Sequence, residues 1–167
     1  MKILRANLQT QTITYEDVPE SWQRLGGRAL VARFLLDEVP ATCDPLGPLN
    51  KLIFAPGLLV GHMLSSCDRI SVGGKSPMTG GVKEANAGGT TGLKMAWLEL
   101  HSLIIEGDAP ADGSWKILYI DQDGARFEDA SDLVGLGLKA TARQLTERFD
   151  HKIGIFPPIS GGEGTTS

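Results

Sequence analysis

Short apolar runs separated by turn residues recur along the chain, and they predict more strands than helices. Residues 1–8 and 11–15 have strand-like patterns across a polar gap of hairpin length. Residues 51–55 (KLIFA) and 102–106 (SLIIE) are apolar and bounded by turns, which is typical of buried strands. The other predicted strands cover residues 69–73, 81–85, 115–120, 125–128 and 152–156, with an Asp-Gly turn inside the hairpin at 115–128.

Helical spacing of apolar residues occurs in a few segments only. It is clear over residues 28–39, where Pro40 ends the pattern, and over residues 137–149, which have one apolar face. Residues 92–100 are predicted as a further helix, and residues 17–25 as a short one capped by Asp17. Strands and helices in this irregular order predict a single α+β domain, with mixed β-sheets and a few packed helices.

Composition and charge exclude several classes of protein. The 167 residues carry a net charge of −4, which gives no general attraction to nucleic acid or to an anionic membrane. No apolar run approaches the roughly 20 residues that span a bilayer, and the first residues lack the apolar block of a signal peptide, so we expect a cytoplasmic location. Cys43 and Cys67 are too few to encode a disulfide framework or a metal cluster.

The segment from residue 55 to residue 92 stands out because it holds nine of the 21 glycines. Glycine bares the backbone amides, and here it occurs beside Arg69, Lys75 and Asn86. That combination suits an anionic ligand such as a phosphate-bearing cofactor. A set of tight turns in a β-rich domain explains the same composition, and both interpretations stay open.

Familiar catalytic motifs are absent. The sequence GGKS at residues 73–76 resembles the end of a P-loop, but Arg69 stands where the first glycine is needed and Pro77 prevents the following helix. No G-x-G-x-x-G sequence connects a strand to a helix, so a Rossmann site is not expected. The three histidines lie far apart, and no nucleophile-elbow sequence accompanies the Ser65, His62 and Asp68 combination.

Several segments, taken in series, resemble the N-terminal domain of the aldehyde ferredoxin oxidoreductase family, the tungsten or molybdenum bis-pterin enzymes. The resemblance covers about residues 1–155. It is carried by ILRANL, LGGRALVARFLLDEV, DPLGPLNKLIFAPGLLVG, DRISVGGKSPMTG, EANAGG, SLIIEG and FEDASDLVGLG. In this family the N-terminal domain forms a base for the two pterins, so the resemblance implies a fold of that type over residues 1–156.

The resemblance also implies site residues. Arg69 looks like the family arginine between a pterin and the [4Fe-4S] cluster, and Asn86 looks like the asparagine that holds the magnesium bridging the pterin phosphates. A fixed guanidinium suits the electron-rich pterin, and an amide oxygen suits magnesium. Gly88 and Gly89 would admit phosphate close to the backbone. Lys75 and Ser76 are further candidate contacts, and a solvated surface charge explains Lys75 equally well. If the resemblance holds, Arg69, Asn86 and the two glycines converge on one exposed concave face, with Lys75 near its edge.

The complete enzyme that the resemblance implies oxidises aldehydes to carboxylates and passes electrons to a ferredoxin-like carrier. Its cluster cysteines are not found in this sequence, and residues 157–167 have no periodicity. We therefore expect a domain that is incomplete at its C-terminal end, a flexible tail at 157–167, and no catalysis by this chain alone. The expected partners are the remaining domains or subunits of the oxidoreductase. The alternative is a structural or assembly module that keeps the fold, binds no metal, and forms homo-oligomers or docks to a partner.

Overall fold

A six-stranded sheet lies at the centre of the protein. The computed structural model describes residues 1–62, 64–150 and 152–156. The strands of this sheet are β1 (Lys2–Asn7), β2 (Thr12–Asp17), β3 (Lys51–Pro56), β4 (Arg69–Lys75), β5 (Val82–Gly88) and β6 (Leu100–Glu106). They lie in the order β2-β1-β6-β3-β4-β5. Strands β1 and β6 are parallel, and all other neighbours are antiparallel.

A hairpin and three helices complete the domain. The hairpin consists of β7 (Lys116–Asp121) and β8 (Gly124–Asp129), and the helices are α1 (Gly27–Glu38), α2 (Thr90–Trp97) and α3 (Leu138–Phe149). One face of the sheet packs against α1, and the other packs against α2 and the hairpin. Helix α3 lies against the hairpin, where the rings of Phe149 and Tyr119 stack 4.6 Å apart. The predicted α+β fold is confirmed.

The position of each strand in the sheet explains its burial. Strand β6 lies between β1 and β3 and is covered on both faces, so its first five residues are buried. Strand β5 is an edge strand, and six of its seven residues are exposed. The end of the β4–β5 ladder therefore opens to solvent, and this is where the glycine-rich segment lies.

The helix predicted at residues 17–25 is wrong. Strand β2 continues to Asp17, whose carboxylate accepts a hydrogen bond from Lys2 Nζ at 2.6 Å instead of capping a helix. Pro19 then precedes a single 3-10 turn over Glu20–Trp22. The spacing of apolar residues is helical here, but the pairing of β2 with β1 uses the residue that would have started the helix.

Two other predicted elements differ from the structure. Helix α2 covers Thr90–Trp97 and not residues 92–100, because Leu100 already belongs to β6. The strand predicted at residues 152–156 is wrong, since this segment joins no ladder. It packs by its side chains, and the Phe156 ring lies 5.0 Å from that of Phe54. The flexible tail predicted at 157–167 lies outside the described residues.

Within the described part of the chain, no helix combines the length and the apolar character needed to cross a bilayer.

Candidate functional site

The pairing of β4 with β5 places Arg69 and Asn86 on the same face of the sheet. Arg69 pairs with Gly88 and Ser71 pairs with Asn86, so the four side-chain positions share one side of the ladder. Arg69 Nη1 donates to Asn86 Oδ1 at 3.0 Å. Asn86 Nδ2 in turn donates to Ser71 Oγ at 3.2 Å. The structure therefore brings Arg69, Asn86 and Gly88 together at the open end of the ladder.

Bare backbone lies next to this pair. A Cβ atom added at Gly88 or at Gly89 would meet no atom within 4 Å. Gly89 has a φ of +125°, which L side chains rarely adopt, so the turn into α2 needs glycine here. Both glycines are exposed, and Gly89 provides no side-chain cap for α2. A ligand can approach the main chain closely at this point.

The guanidinium of Arg69 is exposed, and it forms no ion pair with any other described residue. An arginine cannot lose its charge at physiological pH. The bond to Asn86 restrains one nitrogen and leaves the other donors of the fork for a ligand. An electron-rich or anionic group fits this end of the ladder.

Both the oxygen and the nitrogen of the Asn86 side-chain amide already form hydrogen bonds, which affects where a magnesium ion could bind. Its Oδ1 atom accepts from a cationic guanidinium, so a second cation on the same oxygen would be repelled. The main-chain oxygen of Asn86 is different. Ser76 N donates to Gly81 O at 2.7 Å, so these two opposite residues form a hydrogen-bonded pair. Hydrogen-bonded and non-hydrogen-bonded pairs alternate along an antiparallel ladder, which makes Ser71 and Asn86 a non-hydrogen-bonded pair. The main-chain groups of Asn86 therefore point away from β4, toward the free edge of β5. A carbonyl oxygen there is a hard donor of the kind that magnesium takes.

Lys75 and Ser76, the other predicted contacts, lie at the opposite end of β4. Lys75 pairs with Val82, six residues from the Arg69 pair, which corresponds to roughly 20 Å along the strand. Its Nζ donates to the main-chain oxygens of Ala41 and Cys43. Ser76 is buried, and its Oγ accepts from the amides of Met78 and Thr79 at 3.3 Å. The structure does not bring these two residues to the end of the ladder that holds Arg69.

Two polar residues that the sequence did not single out explain this arrangement. Asn50 holds the end of β4, because its Oδ1 accepts from Lys75 N and its Nδ2 donates to Lys75 O, both at 3.0 Å. Ser71 is buried and anchors Asn86. The sequence did contain a signal for Ser71, because it is two positions after Arg69 on a predicted strand and so shares its face. Nothing in the sequence marked Asn50.

The histidines and cysteines that the structure describes form no centre of their own. Among the described residues, no three His, Cys, Asp or Glu side chains gather in a way that could hold a metal ion. His62 is exposed, and the Cys67 thiol donates to main-chain oxygens of its own loop, such as Leu64 O at 3.1 Å.

Comparison with known proteins identifies the family. The model of the aldehyde ferredoxin oxidoreductase N-terminal domain matches residues 3–159, which is nearly the whole chain. The chain belongs to the aldehyde ferredoxin oxidoreductase family. The tungsten-containing aldehyde ferredoxin oxidoreductase of Pyrococcus horikoshii is 37% identical to it over 153 residues, which are 90% of this chain and 25% of that enzyme. The enzyme of the same name from Thermococcus kodakarensis is 36% identical over 136 residues, 80% of this chain and 22% of the enzyme.

A solved structure is similar throughout the domain. It is the active site complex BamBC of benzoyl coenzyme A reductase with 1,5-dienoyl-CoA, which superposes with a TM-score of 0.81 at 31% identity. The match covers 88% of this chain and 22% of that one. The chain thus corresponds to an aldehyde ferredoxin oxidoreductase N-terminal domain and spans about a quarter of the length of the curated relatives it matches.

Proposed function

We propose that this chain is the cofactor-binding base of a tungsten-pterin oxidoreductase that oxidises aldehydes to carboxylates and passes the electrons to a ferredoxin-like carrier. The observation that carries the proposal is the Arg69–Asn86 pair, joined at 3.0 Å on an exposed face beside two uncovered glycines. The tungsten relatives support the identity of the cofactor.

Arg69 has the chemistry for the pterin side of this role. Its guanidinium is planar and permanently charged, so it can stack on a pterin or donate to it without a change of protonation. Asn86 fixes its direction through one hydrogen bond, and Ser71 fixes Asn86. These two hydrogen bonds restrain the Arg69 side chain before any ligand binds, which reduces the conformational entropy lost on binding.

The glycines and the edge carbonyl have the chemistry for the phosphate side. Gly88 and Gly89 leave room for phosphate against the backbone, and the Asn86 main-chain oxygen is available to a magnesium ion at the free edge of β5. A tungsten-pterin group supplies the two-electron chemistry when it is bound, and this chain orients it. The [4Fe-4S] cluster belongs, in this proposal, to the parts of the enzyme outside this chain.

A domain exchange tests the proposal. The N-terminal domain of the Pyrococcus horikoshii enzyme is replaced by residues 3–156 of this chain, and tungsten and released pterin are measured in the purified, folded chimera. We expect the chimera to retain both, and Arg69→Gln to lower both severalfold, because the guanidinium is lost. Lys83→Gln is the matched control: Lys83 is on the neighbouring strand β5 but on the other face of the sheet, so it should change neither.

The second candidate is the structural or assembly module, and the same chimera distinguishes it. A chimera that folds and assembles but holds neither tungsten nor pterin would favour the module and overturn the cofactor-binding proposal. Equal tungsten content in the Arg69→Gln and Lys83→Gln chimeras would remove Arg69 from the site.

A further inference from the structure

A second arginine lies on the same face of the sheet. Arg28, in the first turn of α1, donates from Nε to Glu84 Oε2 at 3.1 Å. Glu84 pairs with Gly73 in the β4–β5 ladder, so it is two positions before Asn86 and points to the same side. The two anchors of the two arginines, Glu84 and Asn86, are therefore roughly 7 Å apart along β5.

Both guanidiniums keep free donors. The side chain of Arg28 is 78% exposed, and no described residue accepts a hydrogen bond from its Nη atoms. Arg69 uses Nη1 alone for Asn86. The face thus presents two guanidiniums against one carboxylate, in a chain with a net charge of −4. This local excess of positive charge is not explained by ion pairing within the described residues.

Glu84 acts as a fixed anchor. Its side chain is only 12% exposed, and its Oε1 atom is buried without a hydrogen-bond donor among the described residues. An ion pair with one exposed partner contributes little to stability, so the pair does not compensate well for a buried carboxylate. Its evident effect is to hold Arg28 against β5, with the free side of the guanidinium toward solvent.

The electrostatics of α1 also favour an anion at this face of the sheet. The first turn of this twelve-residue helix contains no acidic residue and has no side-chain cap, and Arg28 adds a cation at its positive end. Each of these is unfavourable for an isolated helix. A bound anion between the two arginines removes the conflict.

We propose that Arg28 and Arg69 form a two-arginine clamp for a phosphate group, with Glu84 and Asn86 as their anchors. A phosphate accepts charge-assisted hydrogen bonds of about 2.8 Å from more than one guanidinium, and the two anchors are close together on β5. The clamp rests on the proposed function in one respect, that the phosphate belongs to the cofactor. The phosphate chemistry itself is common to the cofactor and to free pyrophosphate.

Titration with inorganic pyrophosphate tests the clamp on the chain itself. Backbone amide and arginine Nε signals are followed by NMR in low salt. We expect shifts at Arg28 and Arg69 and at the first amides of α1, and we expect them to weaken as salt is added. Shifts confined to other parts of the surface would overturn the clamp.

The decisive variant is Arg28→Gln with Glu84→Gln. It removes one positive and one negative charge, so the net charge is unchanged, and it leaves no buried carboxylate without a partner. We expect pyrophosphate affinity to fall about tenfold, the cost of one charge-assisted contact. Arg33→Gln is the matched control, because Arg33 is on the same helix but pairs with Asp37. Equal affinities in the double variant and in the control would overturn the proposal.

The outcomes separate the clamp from the proposed function. Shifts at Arg69 and Gly88 without Arg28 would remove the clamp and leave the cofactor-binding base. Loss of pyrophosphate affinity in the double variant, with full tungsten content in the chimera that carries it, would keep the clamp and assign it to free phosphate. Loss in both would assign it to the cofactor.

Discussion

Single glycines of the candidate site differ sharply in what they tolerate. A Cβ atom at Gly73 would lie 2.5 Å from Val31 Cγ1 and 2.9 Å from Lys83 O, so α1 can approach the sheet only because the side chain is absent. We expect Gly73→Ala to lower the free energy of unfolding by about 2 kcal/mol or more. Gly88→Ala, with open space at its Cβ, should change it by less than about 0.5 kcal/mol. Urea unfolding measures both, and equal effects would contradict this account of the packing.

The hydrogen bond to Asn86 is expected to restrain the Arg69 side chain. Asn86→Ala removes the acceptor that holds Nη1, so the guanidinium should gain motion on the picosecond-to-nanosecond timescale. NMR relaxation of the Arg69 side chain measures this, with Arg143 of the same protein as an exposed reference that keeps its own partner, Glu147. An unchanged Arg69 order parameter would show that Asn86 does not restrain it.

Residues also show where sequence reasoning reached its limit. Arg69 and Asn86 could be selected because they lie in recognisable segments, and strand pairing then placed them together. Lys75 occurs in the same segment but lies at the far end of β4. Its position depends on Asn50 and on the carbonyls of the 41–43 loop, and these contacts join parts of the chain more than 20 residues apart. No local pattern encodes such contacts.

At the scale of elements, a charged cluster joins α1 to the sheet. Arg5 of β1 donates to both carboxylate oxygens of Glu38 of α1, at 2.7 and 2.8 Å, and Lys51 of β3 lies 3.4 Å from Glu38. Burial by itself raises the pKa of Glu38, but the hydrogen bonds and charge of Arg5, with the charge of Lys51, outweigh it and lower the pKa. The pKa of Arg5 is raised in turn, chiefly by its hydrogen bond to Glu38.

The sign of these shifts gives a pH prediction. A lowered folded-state pKa means that the stabilisation is present above the ordinary glutamate pKa of about 4.3 and is lost as the pH falls through the folded value. Glu38→Gln should therefore cost about 2 kcal/mol at pH 7 and clearly less at pH 3. Glu147→Gln, in the exposed Arg143–Glu147 pair of α3, should cost under about 0.5 kcal/mol at both. Denaturant unfolding at the two pH values checks this, and a pH-independent Glu38→Gln effect would contradict it.

The elements that were predicted correctly are those with a strong pattern of their own. The spacing of apolar residues in α1 and the short apolar run of β3 each match a structural period. The wrong predictions lie in segments whose structure depends on pairing with another strand. Residues 17–25 lose their helix to the pairing of β2 with β1, and residues 152–156 have the composition of a strand but pair with no strand of either sheet. Propensity describes a segment, whereas pairing depends on the rest of the fold.

At the scale of the whole molecule, the fold produces one exposed polar face from residues that are far apart in sequence. Arg28 comes from α1, Arg69 from β4, and Glu84 and Asn86 from the edge strand β5. The edge position of β5 leaves this face open on one side. An open face can orient a flat cofactor, but it cannot exclude water or cover the opposite side of that cofactor.

Because this face covers only one side of the cofactor, we expect that the chain alone does not oxidise aldehydes. The tungsten relatives are about four times as long, and in the proposed role this chain supplies only the base beneath the cofactor. Aldehyde oxidation also needs an electron path and a group that moves a proton at the reacting carbon. We expect no aldehyde-dependent reduction of a viologen dye by the purified chain, under conditions where the full-length Pyrococcus horikoshii enzyme reduces it. Dye reduction that follows the chain through gel filtration and disappears in Arg69→Gln would show that the base carries the chemistry itself.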